Sequence, residues 1–380
     1  DHAVGKARRR LEALLKVRPH SVRAMVARAE VALYDEDYSR AKQLLKLALK
    51  RHPEHVEALS VWAAACKLTD EKRCFEKARK RVARLNPHDG NLYLVVANYL
   101  EMAHRYPEVL ALLGTALKKE PDLWQAHAAL GMSHARNVDD KQARKHLEIA
   151  FTNDPYNVRT ANVLNILYDG VLRQMVVVRG KHVDLRVHRR HRKALERTML
   201  PFLQQSYEKL AKRYKMSAKK PLQVEIFPTT EQFSVRTVGL PRLGAHAVCF
   251  GHLITSRSPS ERPFNWKMVL HHELAHVFHI QASRGRVPRW LTEGLAMMES
   301  AWQDPRWHVI QESRAYRRLR SGKLAKIRSF NLAFSQAESM AAIIDAYYQA
   351  MLLTRFLSEG WGFEPLRKMV AGYGQGQNTE

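Results

Sequence analysis

Three things are scarce in this 380-residue chain, and each scarcity removes a class of protein. Cysteine occurs only at Cys66, Cys74 and Cys249. That is too few, and too scattered, for a disulfide framework or a cysteine-based zinc site, and it fits a reducing compartment. No run of eighteen or more apolar residues occurs, so no segment is written to span a membrane. Acid is short as well: 37 Asp and Glu face 63 Lys and Arg, a net charge of +26. Such a charge speaks to partners and solubility rather than to fold. The opening residues, Asp1-His2-Ala3-Val4-Gly5-Lys6, are neither an initiator Met nor a signal peptide. The expectation is a mature or excised piece of a longer protein, soluble, with the cytoplasm slightly favoured and the compartment otherwise open.

What is present falls into two patterns, as expected of a chain long enough for two domains. Pro19, Pro53, Pro87, Pro121 and Pro155 are each 34 residues apart. Ala29, Ala63, Ala97 and Gly131 share one phase of that period, where small residues let helices approach. Ala41 and Ala143 mark a second phase, and Ala48, Ala116 and Ala150 a third. The third unit departs, with Phe75 and Val82 at small-residue positions, which predicts looser packing there. A 34-residue period of paired helices resembles tetratricopeptide repeats. The resemblance implies a solenoid of helix pairs, each burying its apolar face on its neighbours, with a groove that takes a peptide or protein. Lys6–Val17 would be the second helix of an earlier unit and Val158–Arg173 a capping helix.

After Gln174 the apolar period changes to two. Val183, Leu185 and Val187 define one strand face and Leu222, Val224 and Ile226 another. His191–Lys215 reads as a long amphipathic helix between them, and Ala245–Ile254 as a further strand. Phe264–Gln281 reads as an apolar helix closed by Ser283-Arg284-Gly285, and Ser329–Phe363 as a C-terminal helical lobe.

The apolar helix carries His272-Glu273-Leu274-Ala275-His276. Residues four apart share a helix face, so two imidazoles can grip one Zn²⁺ while Glu273 acts on a metal-bound water. Trp290-Leu291-Thr292-Glu293-Gly294-Leu295-Ala296 follows and offers Glu293 as a third ligand, with Thr292 expected as the N-cap of its helix. Together the two segments resemble the gluzincin metallopeptidases, relatives of thermolysin and aminopeptidase N, and in particular the peptidase MA-like domains of bacterial repeat proteins. The likeness covers roughly residues 178–370. It implies a two-lobed domain, zinc held by His272, His276 and Glu293, Glu273 as general base, and Tyr347 as a donor to the developing oxyanion, with Tyr348 the alternative. Thermolysin relatives place an acid four residues after the Glu ligand, but position 297 is Met. Glu299, another side chain or a backbone carbonyl must then orient the ligating His. His271 and His279 flank the motif as structural histidines. A metzincin is excluded, because His279 and Ala282 stand where that class needs Gly and His.

The combined expectation is an α+β chain: residues 1–172 as an all-α repeat array and 173–380 as a gluzincin domain of mixed sheet plus helices. The function would be zinc-dependent peptide-bond hydrolysis, with the array recruiting a protein partner or substrate. The alternative is a repeat-based binding protein whose second domain is inactive. Gly244–His252, the strand expected to line the cleft, holds no carboxylate to anchor a free amino terminus, which favours an endopeptidase. Val171–Lys220 holds fifteen Lys and Arg against three acids, and Arg314–Arg328 is a second basic cluster. An acidic partner is one reading and a solvated basic face the other, since no nucleic-acid module accompanies the charge.

Overall fold

The computed structural model describes residues 2–322, 324–327, 330–337 and 339–377. Asp1, Lys323, Arg328, Ser329 and Glu380, which the sequence reading places within its segments, lie outside the described residues. The chain is α+β. Among the described residues nine helices come first: α1 (His2–Val17), α2 (Val22–Tyr34), α3 (Tyr38–Arg51), α4 (Val56–Leu68), α5 (Lys72–Leu85), α6 (Asn91–Met102), α7 (Tyr106–Lys119), α8 (Trp124–Arg136) and α9 (Asp140–Asn153). A five-stranded sheet with further helices follows. Contacts divide the chain into two compact units. One comprises Asp1–Ala129, Pro288–Trp290 and Ser313–Gln349; the other comprises Leu130–Val287, Leu291–Glu312 and Ala350–Glu380.

In the first unit α2 packs on α3, α4 on α5 and α6 on α7, while α2, α4 and α6 also pack in succession. The small residues explain this. Ala29, Ala63 and Ala97 are buried, and so are Ala41, Ala48 and Ala116. Phe75 and Val82 are buried too, so the departing unit fills the same positions with larger side chains. Caps recur at the same period: Ser21 accepts from the Ala24 amide, His55 from Ala58 and Asp89 from Leu92. These side chains satisfy donors that a helix N-terminus leaves open. Between paired helices the chain takes a left-handed residue at Glu36, Asp70 and His104, and Val138 continues the series into the second unit. Their φ values lie between 55° and 64°. None is Gly, the residue that adopts this conformation at least cost, so no residue type marks the turn in the sequence. Cys66 and Cys74 form a disulfide across the α4–α5 turn, a local staple that the sequence reading did not foresee.

The second unit is built on the sheet. Its strands are β1 (Met175–Val178), β2 (Asp184–His188), β3 (Gln223–Phe227), β4 (Ala247–Cys249) and β5 (Leu253–Arg257), in the order β1-β2-β3-β5-β4. The inner pairs β2–β3 and β3–β5 are parallel, and both outer pairs are antiparallel. The single strand expected over Ala245–Ile254 is therefore two. Gly251 at φ +83° turns the chain between them, with Ile280 Cγ2 3.0 Å from where its Cβ would stand. The remaining helices are α10 (Val158–Asn162), α11 (Arg192–Tyr214), α12 (Thr230–Val238), α13 (Trp266–Ser283), α14 (Arg289–Gln303), α15 (Val309–Arg320), α16 (Leu332–Ser335), α17 (Met340–Trp361) and α18 (Phe363–Tyr373). The expected capping helix over 158–173 is α10 running into a π-helical stretch, Val163–Tyr168, and a 3-10 turn.

Alternation sorts the sheet's faces. Leu185, Val187, Val224, Ile226 and Ile254 pack with α11 and α13 in one core. The other face carries Glu225, wholly buried, whose carboxylate takes Arg236 Nε at 2.6 Å and Arg186 Nη1 at 3.1 Å. Arg186 also bonds Asp140 Oδ2 at 2.5 Å, so α9, β2, β3 and α12 meet at one closed ionic network. Among the described residues, no helix is long and apolar enough to cross a membrane.

Candidate metal centre

The centre is assembled by α13 and α14, both resting on the second unit's core. Asn265 caps α13 through the Met268 amide at 3.2 Å, and Arg284 and Gly285, both at positive φ, end it. A short link leads to α14, which starts at Arg289 rather than after Thr292. Thr292 is therefore not the N-cap, and its hydroxyl is available for another task. Gly294 has a steric reason: a Cβ there would lie 2.5 Å from the Ala350 carbonyl oxygen of α17. Only glycine permits that approach of α14 to the second half of α17.

His272 Nε2 and His276 Nε2 are 3.1 Å apart, and Glu293 Oε2 is 3.3 Å from each. Donors at about 2.1 Å from a tetrahedral ion stand about 3.4 Å from one another. Two imidazole nitrogens and one carboxylate oxygen at this spacing fit a catalytic zinc set, which keeps a fourth position open. Burial alone would raise Glu293, but His276 and His272 hold its carboxyl well below the usual range. It is thus an anion, as a metal ligand must be.

Glu273 follows His272 on α13. Burial pushes its carboxyl up to about 7, with His272 opposing, Glu293 adding and the Cys249 amide of β4 bonding the charged form. A carboxyl near neutrality suits proton transfer. Tyr347 belongs to the first compact unit, on α17, where its ring meets Phe334 edge-on at 5.4 Å between centroids. Tyr348 is buried.

The side chain on His276 is one the sequence reading assigned elsewhere. Thr292 Oγ1 lies 2.8 Å from His276 Nδ1 and 3.0 Å from His279 Nδ1. His279 Nε2 is in turn 2.6 Å from the Tyr214 hydroxyl at the end of α11. Glu299, one of the alternatives for orienting the ligand, instead pairs with Arg213 Nη1 at 2.5 Å. Burial raises Glu299 to about 7, against Arg213 and Tyr214. Burial also holds His279 far below its ordinary value, and His271 down to about 3, so both are neutral rings. His308, not singled out in the sequence, is buried and lowered to about 4 by that burial and by the nearby His272. Nothing in its spacing announced it. A second group of ligating side chains, Cys66, Glu71 and Cys74, lies in the first unit, its two sulfurs already joined.

No curated protein matches the chain. The family model of the Peptidase MA superfamily matches residues 203–380, a span holding α13, α14 and all four residues of the two motifs. Residues 203–380 are thus similar to the Peptidase MA superfamily, which is typically zinc-dependent.

Proposed function

We propose that residues 173–380 form a gluzincin-type zinc endopeptidase and that residues 1–172 form a tetratricopeptide-repeat array that recruits a protein substrate or partner. The observation that carries the enzymatic reading is the convergence of His272, His276 and Glu293 within 3.3 Å, with Glu273 on the helix of the two histidines. Zinc held there would polarise the scissile carbonyl and acidify a bound water. Glu273 would take the water's proton and deliver it to the leaving nitrogen, and its raised carboxyl suits both steps. Tyr347 is the proposed donor to the oxyanion. Strand β4 is one of the two edge strands of the sheet. An extended substrate could pair with its main chain and place an internal bond at the metal.

Mass spectrometry of a peptide library digested by the zinc-loaded chain tests this reading. Internal cuts that vanish in Glu273→Gln are expected. Stepwise loss of amino-terminal residues without internal cuts contradicts the endopeptidase, and cuts that persist in Glu273→Gln contradict the mechanism. Tyr347→Phe in the same assay should lower kcat with the fold intact.

The recruiting role has its own support. The first unit holds a cleft of about 1020 Å³ between α3 and α5, floored by Leu59 and Trp62 and rimmed by Lys46, Lys50, Lys77 and Arg84. Among the described residues none of these four cations has an ion-pair partner, so an acidic protein segment with apolar side chains fits it. The period that marks the array also supports a binding role without catalysis, the alternative reading.

A further inference from the structure

Three hydrogen bonds run in series away from the candidate metal centre. They join His276 Nδ1 to Thr292 Oγ1 at 2.8 Å, Thr292 Oγ1 to His279 Nδ1 at 3.0 Å, and His279 Nε2 to the Tyr214 hydroxyl at 2.6 Å. The four residues come from three helices: Tyr214 closes α11, both histidines sit on α13, and Thr292 opens α14. His279 is fully buried and Tyr214 nearly so. Tyr214 is close enough to the Glu299 carboxylate that the two shift one another's pKa, and Glu299 is paired with Arg213.

We infer that Thr292, His279 and Tyr214 are a positioning relay for His276, standing where a carboxylate would contact the ligand directly. The inference rests on the zinc reading above. Proton counting gives the relay its sense. A hydroxyl has one proton to give, and a neutral imidazole has one N–H and one acceptor nitrogen. Thr292 bonds Nδ1 of both rings and can donate its single proton to only one of them, so at least one ring donates to it; in the relay one ring donates and the other accepts. The relay therefore requires the two rings to hold opposite tautomers.

A cation at His276 Nε2 fixes which is which. His276 then carries its proton on Nδ1 and donates to Thr292, and Thr292 donates to His279 Nδ1. His279 carries its proton on Nε2 and donates to Tyr214, whose own proton faces the side of Glu299. Orienting partners of ligating histidines fix both the ring and its tautomer. Here that task passes through two hydroxyls and a ring before it nears a carboxylate. Met297, unable to accept a proton, is then no defect: the relay supplies what that position lacks.

The arrangement also explains His279. Its two nitrogens are both committed, Nδ1 to Thr292 and Nε2 to Tyr214. A charged imidazole there would have no acceptor nitrogen for Thr292, and burial disfavours that charge.

Two measurements on the whole chain test the relay. Nitrogen-15 NMR of histidine-labelled protein reads the tautomers. Opposite tautomers at His276 and His279 are expected in metal-free protein, and zinc should set His276 as Nδ1–H and His279 as Nε2–H. The same tautomer in both rings overturns the relay whether or not metal binds. Competition with a chelator reads the zinc Kd. Thr292→Val, which keeps shape and removes the hydroxyl, should weaken zinc about 10–100-fold, while Thr292→Ser should restore most of it. Tyr214→Phe should weaken it less. Unchanged affinity in a folded Thr292→Val overturns the relay and leaves the peptidase reading standing. A parent chain that binds no zinc removes the peptidase reading, and the tautomer pattern still decides whether the relay exists.

Discussion

The repeat unit and the metal-centre unit use helices for opposite ends. In the repeats the contact residues are interchangeable in kind: Ala29, Ala63 and Ala97 do one job three times, and Phe75 can stand where Ala41 stands one period earlier. Stability there is spread over repeated interfaces, and no single side chain is indispensable. Around α13 and α14, and in the network behind the sheet, polar side chains have specific partners. His276 has Thr292, Glu299 has Arg213, and Glu225 has Arg236 and Arg186. Redundancy makes a surface tolerant; specific pairing makes a centre definite and fragile.

The sharpest contrast should appear in turnover. Glu273→Gln should lower kcat by about 10²–10⁴-fold while zinc stays bound, because the amide cannot accept a proton. No alanine-for-alanine-sized change in the repeats, such as Ala63→Ser, should alter kcat on a short peptide. Peptide-cleavage kinetics with zinc content measured on the same samples decide it. Equal loss from both changes would mean that catalysis does not depend on the centre described.

Next in size is the ionic network behind the sheet. Arg236→Met leaves Glu225 wholly buried without its nearest cation, and loss of about 3–5 kcal/mol is expected in denaturant unfolding. Asp140 belongs to the same network. Burial pushes its carboxyl up, but Arg236 and Arg186 hold it below the ordinary value. A depressed folded pKa means that this stabilisation is present above the unfolded pKa and is lost as the pH falls through the folded one. Stability should therefore drop below about pH 4, and Asp140→Asn should flatten that acid limb.

A pair of glycines sharpens the comparison at the smallest scale. Gly294→Ala drives a methyl into the Ala350 carbonyl, and a cost of about 1–3 kcal/mol is expected. Gly114, in mid-α7, has nothing within 4 Å of an added Cβ. Gly114→Ala should stabilise by about 0.5–1 kcal/mol. Thermal unfolding of the two variants reads both signs.

These differences also account for what could be read in the sequence. Periodic features announce themselves, so the prolines, the small-residue phases and the strands over Val183–Val187 and Leu222–Ile226 were legible from spacing alone. The recurring left-handed turn was not, because Glu36, Asp70, His104 and Val138 share a conformation but no chemistry. The hairpin of β4 and β5 was read as one strand, because its turn at Gly251 interrupts an apolar run by only a few residues. At the centre, His272, Glu273, His276 and Glu293 were legible because helical spacing fixes which side chains share a face. Thr292 was misassigned as a cap, since Ser and Thr before a helix usually are caps, and only the fold shows its hydroxyl between two imidazoles. His279 and Tyr214 lie 65 residues apart, a pairing that no local pattern encodes.

The central claim is that His272, His276 and Glu293 bind one zinc ion, and elemental analysis of protein purified without added metal tests it most directly. One zinc per chain is predicted for the parent and for Glu273→Gln, with most of it lost in His276→Ala and Glu293→Ala. A parent chain that carries no zinc, and gains none when zinc is supplied, would contradict the account.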